Sequence, residues 1–388
     1  MFFAALLTAA VAVSASPVER QAKTAVLSLK HVSNVTSIKN IVSKGQARMT
    51  AFNGPHAVGA SPDASGPVTN EDVSYVAPVS IGGKTWDLIV DTGSSNTWCG
   101  AQSSCEKTST GKSTGGTVCI HGALQMDPNT DLTAADKVTF GGLSVSSQSI
   151  GAASTSSGFT SVDGIIGFGP VDLTEGTVSS ANTVPTFMDN LYSQGSISTE
   201  VLGVSFSPES GSDTDDANGE LTLGGTDSSK YSGSITYHPT LTSGSASEYW
   251  GLSIASFTYG STTLASSATG IVDTGTTLIY IPTTAYNKFL SAAGGKTDSS
   301  SGLALFTTKP TSNFIIKVGT ISYTLTPAQY LVPSAQYSYY GLTSGKYYAW
   351  INDGGSSGVN TIIGQKFLEN YYSVFDTTNS RIGFATGA

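Results

Sequence analysis

The sequence predicts a mostly β chain built from two related lobes, on three observations. Only 12% of its 388 residues are charged, Ser, Thr and Gly are abundant, and Gly, Ser or Asn interrupts short apolar runs every ten residues or so, the cadence of strands separated by turns. Helical patterns in the body are few and short: 185–192, 283–292 and 365–371, each following a turn. The run Ile-Val-Asp-Thr-Gly also occurs twice, within Leu88-Ile-Val-Asp-Thr-Gly-Ser-Ser95 and Gly270-Ile-Val-Asp-Thr-Gly-Thr-Thr277, and each copy is followed by an Ile-Ile-Gly, at 165–167 and 362–364. The same ordered pair of signals in both halves argues for duplicated lobes related by an approximate two-fold axis, since the period is far too long for a solenoid.

Taken from the start, residues 2–13 are a continuous apolar and small-residue run followed by Ser14, Ala15 and Ser16. This reads as a signal peptide over 1–15 that lacks the usual basic lead, and it is too short to cross a bilayer. No later run is long and apolar enough to do so, and the last residues lack the hydrophobic tail of a lipid-anchor signal. A secreted, extracellular product without a membrane partner is expected.

Charge divides the chain. Residues 1–58 carry six basic groups (Arg20, Lys23, Lys30, Lys39, Lys44 and Arg48) against the single acid Glu19, whereas the whole chain has a net charge of −9. A basic leader ahead of an acidic body suggests a removable propeptide over 16–58 that docks electrostatically on the rest; a disordered basic arm is the plainer alternative. The apolar positions of that leader fit a strand followed by a helical stretch. Asn34-Val-Thr36 is a glycosylation sequon or a chance tripeptide. The Gly-, Pro- and Ser-rich stretch 59–70 reads as a linker open to cleavage. The mature body is expected as an N-terminal lobe over 59–235 and a C-terminal lobe over 236–388. The acidic stretch 207–220 reads as a surface loop, and an acidic body makes nucleic acid an unsuitable partner.

Three cysteines, Cys99, Cys105 and Cys119, are too few for a disulfide scaffold and leave at least one unpaired. Cys99 and Cys105 stand close enough to close a small loop, provided their Cα atoms come within bridging distance. No His or Cys partners stand at ligand spacing, so no metal is expected.

The repeat carries the chemistry. In each copy a β-branched pair, Ile89-Val90 or Ile271-Val272, reads as the end of a buried strand that delivers Asp91 or Asp273 to a turn. Gly93 and Gly275 permit a tight path beside the carboxylate, and the hydroxyls of Thr92, Ser94, Thr274 and Thr276 can hold it. If the lobes face each other, the two carboxylates meet in a dry cleft, where both cannot ionise cheaply and one proton is shared. Such a pair holds a base for an attacking water and an acid for a carbonyl, which suits bond hydrolysis at acid pH without cofactor or covalent intermediate.

These residues resemble the pepsin family of aspartic proteases, closest to secreted fungal (basidiomycete) members, from about residue 75 to 385. The resemblance rests on Asp91-Thr-Gly-Ser-Ser-Asn-Thr-Trp98, Asp163-Gly-Ile-Ile-Gly167, Asp273-Thr-Gly-Thr-Thr277 and the run from Ile362-Ile-Gly-Gln to Val374-Phe-Asp376. It implies a bilobed double β-barrel with a deep cleft and an endopeptidase acting on polypeptides with Asp91 and Asp273 as catalytic residues. Ser94 and Thr276 would then bond their outer oxygens, Ile165 would line the cleft, and Trp98 would brace a hairpin flap. It further implies a zymogen whose own propeptide sets a Lys against the aspartates, with Lys30, Lys39 and Lys44 as candidates. Because both carboxylates come from one chain, a monomer suffices.

Two departures stand out. The family's flap carries Tyr-Gly-x-Gly, and no Tyr occurs between Asp91 and Asp163. His121-Gly122 stands nearest that place, so His121 is a candidate substitute; alternatively the segment 118–135 is a surface excursion or a misassigned splice boundary. A catalytically impaired binding protein that keeps the fold is therefore the rival function. Gln365 also stands where many relatives carry Asp, one acid fewer near the pair.

Overall fold

The computed structural model describes residues 24–33, 37–54, 73–105, 111–113, 134–153, 159, 161–179, 181–209, 211 and 217–388. The proposed signal peptide, the sequon, the linker and the segment 114–133 lie outside these. Strand β1 (Ala25–Ser33) is followed by helix α1 (Ile38–Phe52), the order expected of the leader. Strands β2 (Val73–Ile81) and β3 (Lys84–Asp91) open the body.

Two nearly repeated strand arrangements form the frame. In the first half, β3 runs parallel to Gly164–Gly167, with Asp91 opposite Gly167, and Thr97–Cys99 lies antiparallel on the other side of that Ile-Ile-Gly strand. In the second half, Ala268–Val272 runs parallel to Ile362–Ile363, with Ile279–Ile281 antiparallel on its far side. Each Asp-Thr-Gly therefore leaves a strand whose neighbour is its own lobe's Ile-Ile-Gly, as the repeat in the sequence requires.

The first-half strands close into a six-stranded barrel, because Ala134–Phe140 pairs with both Leu143–Ala152 and β2. The second half forms an open sheet running from Ile321–Leu325 to Ile351–Asp353. Strands 371–376 and 381–387 return to pair with 201–205 and 231–239, so the expected lobe boundary at 235/236 falls within a strand. The all-β architecture is thus the one the sequence implied.

Burial explains the apolar runs. Leu88 and Val90 pack into the barrel core while Ile89 packs outside it with Trp98 and Ile165. Both faces of the strand are covered, so it reads as a continuous apolar run instead of an alternating one. Leu88→Ala would cost about 2–5 kcal/mol.

The body helices differ in their ends. Phe187–Ser193 begins with a reciprocal box between Thr186 and Asp189, and Thr283–Ala293 stops at Gly294, whose φ is 70°. The third is shorter than the 365–371 expected, ending at Leu368, because Tyr371 already belongs to a strand bonded on both sides. Two short helices, Pro327–Tyr330 and Tyr337–Tyr340, lie in stretches read as strand or loop. No helix among the described residues is long and apolar enough to cross a membrane, which says nothing of strands.

Candidate active site

The two Asp-Thr-Gly turns meet, and they do so reciprocally. Thr92 N donates to Thr274 Oγ1 at 2.9 Å and Thr274 N donates to Thr92 Oγ1 at 3.0 Å. Each hydroxyl in turn donates to the backbone carbonyl of the opposite strand, Thr92 to Val272 and Thr274 to Val90. The threonine hydroxyls therefore tie turn to turn, and the expectation that they bond the carboxylates is corrected. An OH with its donor and acceptor needs both met across the interface satisfies two buried main-chain groups at once.

The other expected donors do reach the acids. Ser94 Oγ and Gly93 N donate to Oδ2 and Oδ1 of Asp91 at 2.5 and 3.0 Å. Thr276 Oγ1 and Gly275 N donate to Oδ2 and Oδ1 of Asp273 at 2.5 and 2.9 Å. The glycines are required by closeness. A Cβ on Gly93 would lie 2.6 Å from Asp273 Oδ1, and one on Gly275 would strike Asp91 Oδ1, so each turn makes room for the other's acid.

A third charged group sits between them. Arg48, on α1, donates from Nε to Asp273 Oδ2 at 2.7 Å and from Nη2 to Asp273 Oδ1 at 3.1 Å, and the same Nη2 bonds Asp91 Oδ1. One nitrogen thus touches both carboxylates. This replaces the expected lysine. Lys30 and Lys39 are exposed and Lys44 is half-buried, while a guanidinium offers the planar fork that can grip one carboxylate bidentately and still reach another.

Helix α1 is shaped to deliver that arginine. Its buried side comprises Ile38, Ile41, Val42, Gly45, Arg48, Met49 and Phe52, one helical stripe with a cation inside it. It packs against Tyr249 and Tyr280 of the second half, within a core cluster that also holds Tyr348 and Trp350. The Tyr280 hydroxyl donates to Val42 O at 3.2 Å, and a Cβ on Gly45 would collide with that phenol, so glycine there lets the helix lie close. The signal was legible in the sequence: Arg48 repeats the 41, 45, 52 spacing of the apolar stripe.

Electrostatics separate the acids. Burial pushes Asp91 above the ordinary aspartate value, with Arg48 opposing and Asp273 reinforcing that shift. At Asp273 burial acts in the same direction, but the charge of Arg48 and its hydrogen bonds outweigh it and hold the carboxyl below the ordinary value of 3.8. Burial alone would lower Arg48; the two carboxylates more than reverse this and raise it. Gln365, fully buried, donates from Nε2 to Thr274 O at 2.8 Å, so a neutral amide sits behind the second turn.

Other expected residues fall as follows. Ile165 and Trp98 are buried together, with Trp98 edge-on to Phe159. His121 lies outside the described residues, as does Cys119. Cys99 and Cys105 are disulfide-bonded, with Cα atoms 5.6 Å apart. The acidic stretch is not wholly a surface loop: Glu209 is buried and its Oε1 lies 2.6 Å from Nδ1 of His31 on β1, because that carboxylate meets a buried imidazole from the leader strand.

The chain matches a family model described as "Eukaryotic aspartyl protease" over residues 74–387. It is 45% identical to polyporopepsin of Irpex lacteus over 82% of this chain and 96% of that protein. It is 32% identical to aspergillopepsin-1 of Aspergillus oryzae over 99% and 98% of the two. The crystal structure of an aspartic proteinase from Irpex lacteus superposes with a TM-score of 0.76 at 43% identity, covering 81% of this chain and 94% of the other.

Proposed function

The chain belongs to the eukaryotic aspartyl protease family, as a pepsin-like endopeptidase acting on polypeptides, and on that premise we propose how and where it works. Asp91 and Asp273 are the catalytic pair of a secreted enzyme active at acid pH. The observation that carries this reading is the single Arg48 guanidinium nitrogen that bonds a carboxylate oxygen of each.

The chain is made with a signal peptide over 1–15 and a propeptide over 16–58, and the mature lobes are 59–235 and 236–388. In the latent form α1 lies over the second-half aromatics and Arg48 neutralises the pair. Two carboxylates within reach of one nitrogen repel each other when the cation leaves, so one keeps a proton, the arrangement for which the pepsin family is the type case. The ionised partner takes a proton from a water, whose oxygen attacks the peptide carbonyl carbon. The protonated partner donates to the carbonyl oxygen. Collapse of the tetrahedral intermediate breaks the C–N bond as the amine takes up a proton. Ser94 and Thr276 fix the outer oxygens and leave the inner ones to react. One chain supplies both acids, so a monomer is complete, and its acidic body does not suit nucleic acid.

Acid also opens the lock. Asp273 has a depressed value, so its attraction for Arg48 is present above the ordinary aspartate range and is lost as pH falls through the lowered one. Helix release follows in that window.

The test is to acidify the purified full-length chain and follow its mass and its cleavage of casein. Shortening and turnover, both lost in Asp91→Asn, are expected. An intact leader with no turnover would favour the rival, a binding protein crippled by its missing flap tyrosine.

A further inference from the structure

A second contact of the leader helix points to how this enzyme reads its substrates. Asn53, the C-cap that follows α1, uses its side-chain carboxamide on the main chain of Val359: Val359 N donates to Asn53 Oδ1 at 2.6 Å and Asn53 Nδ2 donates to Val359 O at 3.1 Å. One primary amide thus satisfies both the N–H and the C=O of one residue. Val359 is itself only 1% exposed. The preceding Gly358 has a φ of +61°, and a Cβ there would stand in the space that the Asn53 carboxamide occupies. The loop is therefore shaped around an amide by a glycine in the left-handed region, and its two main-chain groups lose their partner when the helix departs. In the emptied cleft that N–H and C=O are free to pair with an acceptor and a donor of a substrate.

We infer that the main chain of Val359, with room left by Gly358, is a specificity site of the mature enzyme for a primary carboxamide, the side chain of Asn or Gln in a peptide substrate. This rests on the reading of α1 as a leader that occupies the substrate cleft. Asn53 follows Arg48 by five positions, which is about 7.5 Å along a helix axis. An extended peptide covers that distance in about two residues. The side chain read is thus two or three residues from the bond cleaved. A carboxamide can donate and accept side by side, which neither a hydroxyl nor an alkyl group of that size does in the same geometry.

The experiment uses acid-processed full-length chain and fluorogenic peptides with the same hydrophobic pair at the cleaved bond. Asn or its size match Leu, and Gln or its match Met, are placed at the second and third positions on each side. At one of those positions the carboxamide is expected to raise kcat/KM about tenfold over its match, the effect of two added hydrogen bonds. Gly358→Ala is expected to reduce that ratio to near one. Equal rates for amide and match at all four positions in the wild-type enzyme overturn the inference, whether or not the glycine variant folds. A chain that cleaves no peptide of the set instead contradicts the protease reading itself, so the two failures are distinguishable.

Discussion

The Asp91 and Asp273 turns are built alike and behave differently. Each acid receives a main-chain N–H from the glycine two residues on and a hydroxyl from the residue three on, at matching distances. Yet Asp91 is held above the ordinary aspartate value and Asp273 below it. Two Arg48 hydrogen bonds fall on Asp273 and one on Asp91. The asymmetry comes from the leader, laid across two halves that are near copies in strand order and in hydrogen bonding.

The largest way to break this comparison is to remove the cation. Arg48→Met leaves two buried acids facing each other, and losing one partner of a buried ion pair costs about 3–5 kcal/mol. Leader loss is expected to move to higher pH and accelerate by at least a hundredfold, read by mass against time across a pH series. Arg48→Lys keeps the charge without the fork and is expected to fall between the two.

A smaller effect sharpens the likeness of the turns. Ser94→Ala and Thr276→Val each remove a hydrogen bond to an ionised carboxylate, worth about 1.5–3 kcal/mol. Each bond lowers the value of its acid, so its loss is expected to shift a limb of the pH–rate profile upward by about one unit or more. Similar shifts from both variants would confirm that the lobes share the work once Arg48 is gone.

Smaller again is the cross-lobe tie. Thr92→Val and Thr274→Val each leave buried main-chain groups short of a partner, at about 1–3 kcal/mol. Equal drops in Tm are expected, with the double variant losing less than the sum because the two hydroxyls belong to one network.

Much of this was legible in the residues. The repeated Ile-Val-Asp-Thr-Gly foretold the paired turns, the β-branched residues before each Asp foretold buried strands, and the apolar positions of the leader fitted the strand and helix found there. The identity of the cation between the two acids was not reached, because charge counting ranks Lys and Arg alike, whereas geometry asks which one shares the stripe's face and can fork. Thr92 and Thr274 were misassigned for a related reason: a hydroxyl two bonds from its backbone can serve either the adjacent acid or the opposing turn, and only the approach of the lobes decides. Glu209 looked like part of an acidic loop because its partner, His31, lies far off in sequence on the leader strand.

The most direct test of a single catalytic pair is a double-variant cycle on turnover by acid-processed chain, with the propeptide removed by an added protease where a variant cannot shorten itself. Asp91→Asn, Asp273→Asn and the double variant are each expected to lose about a thousandfold or more in kcat, the double no worse than either single, because one acid and one base act as a unit. Losses that simply multiply, or a single variant that retains substantial turnover, would contradict the account.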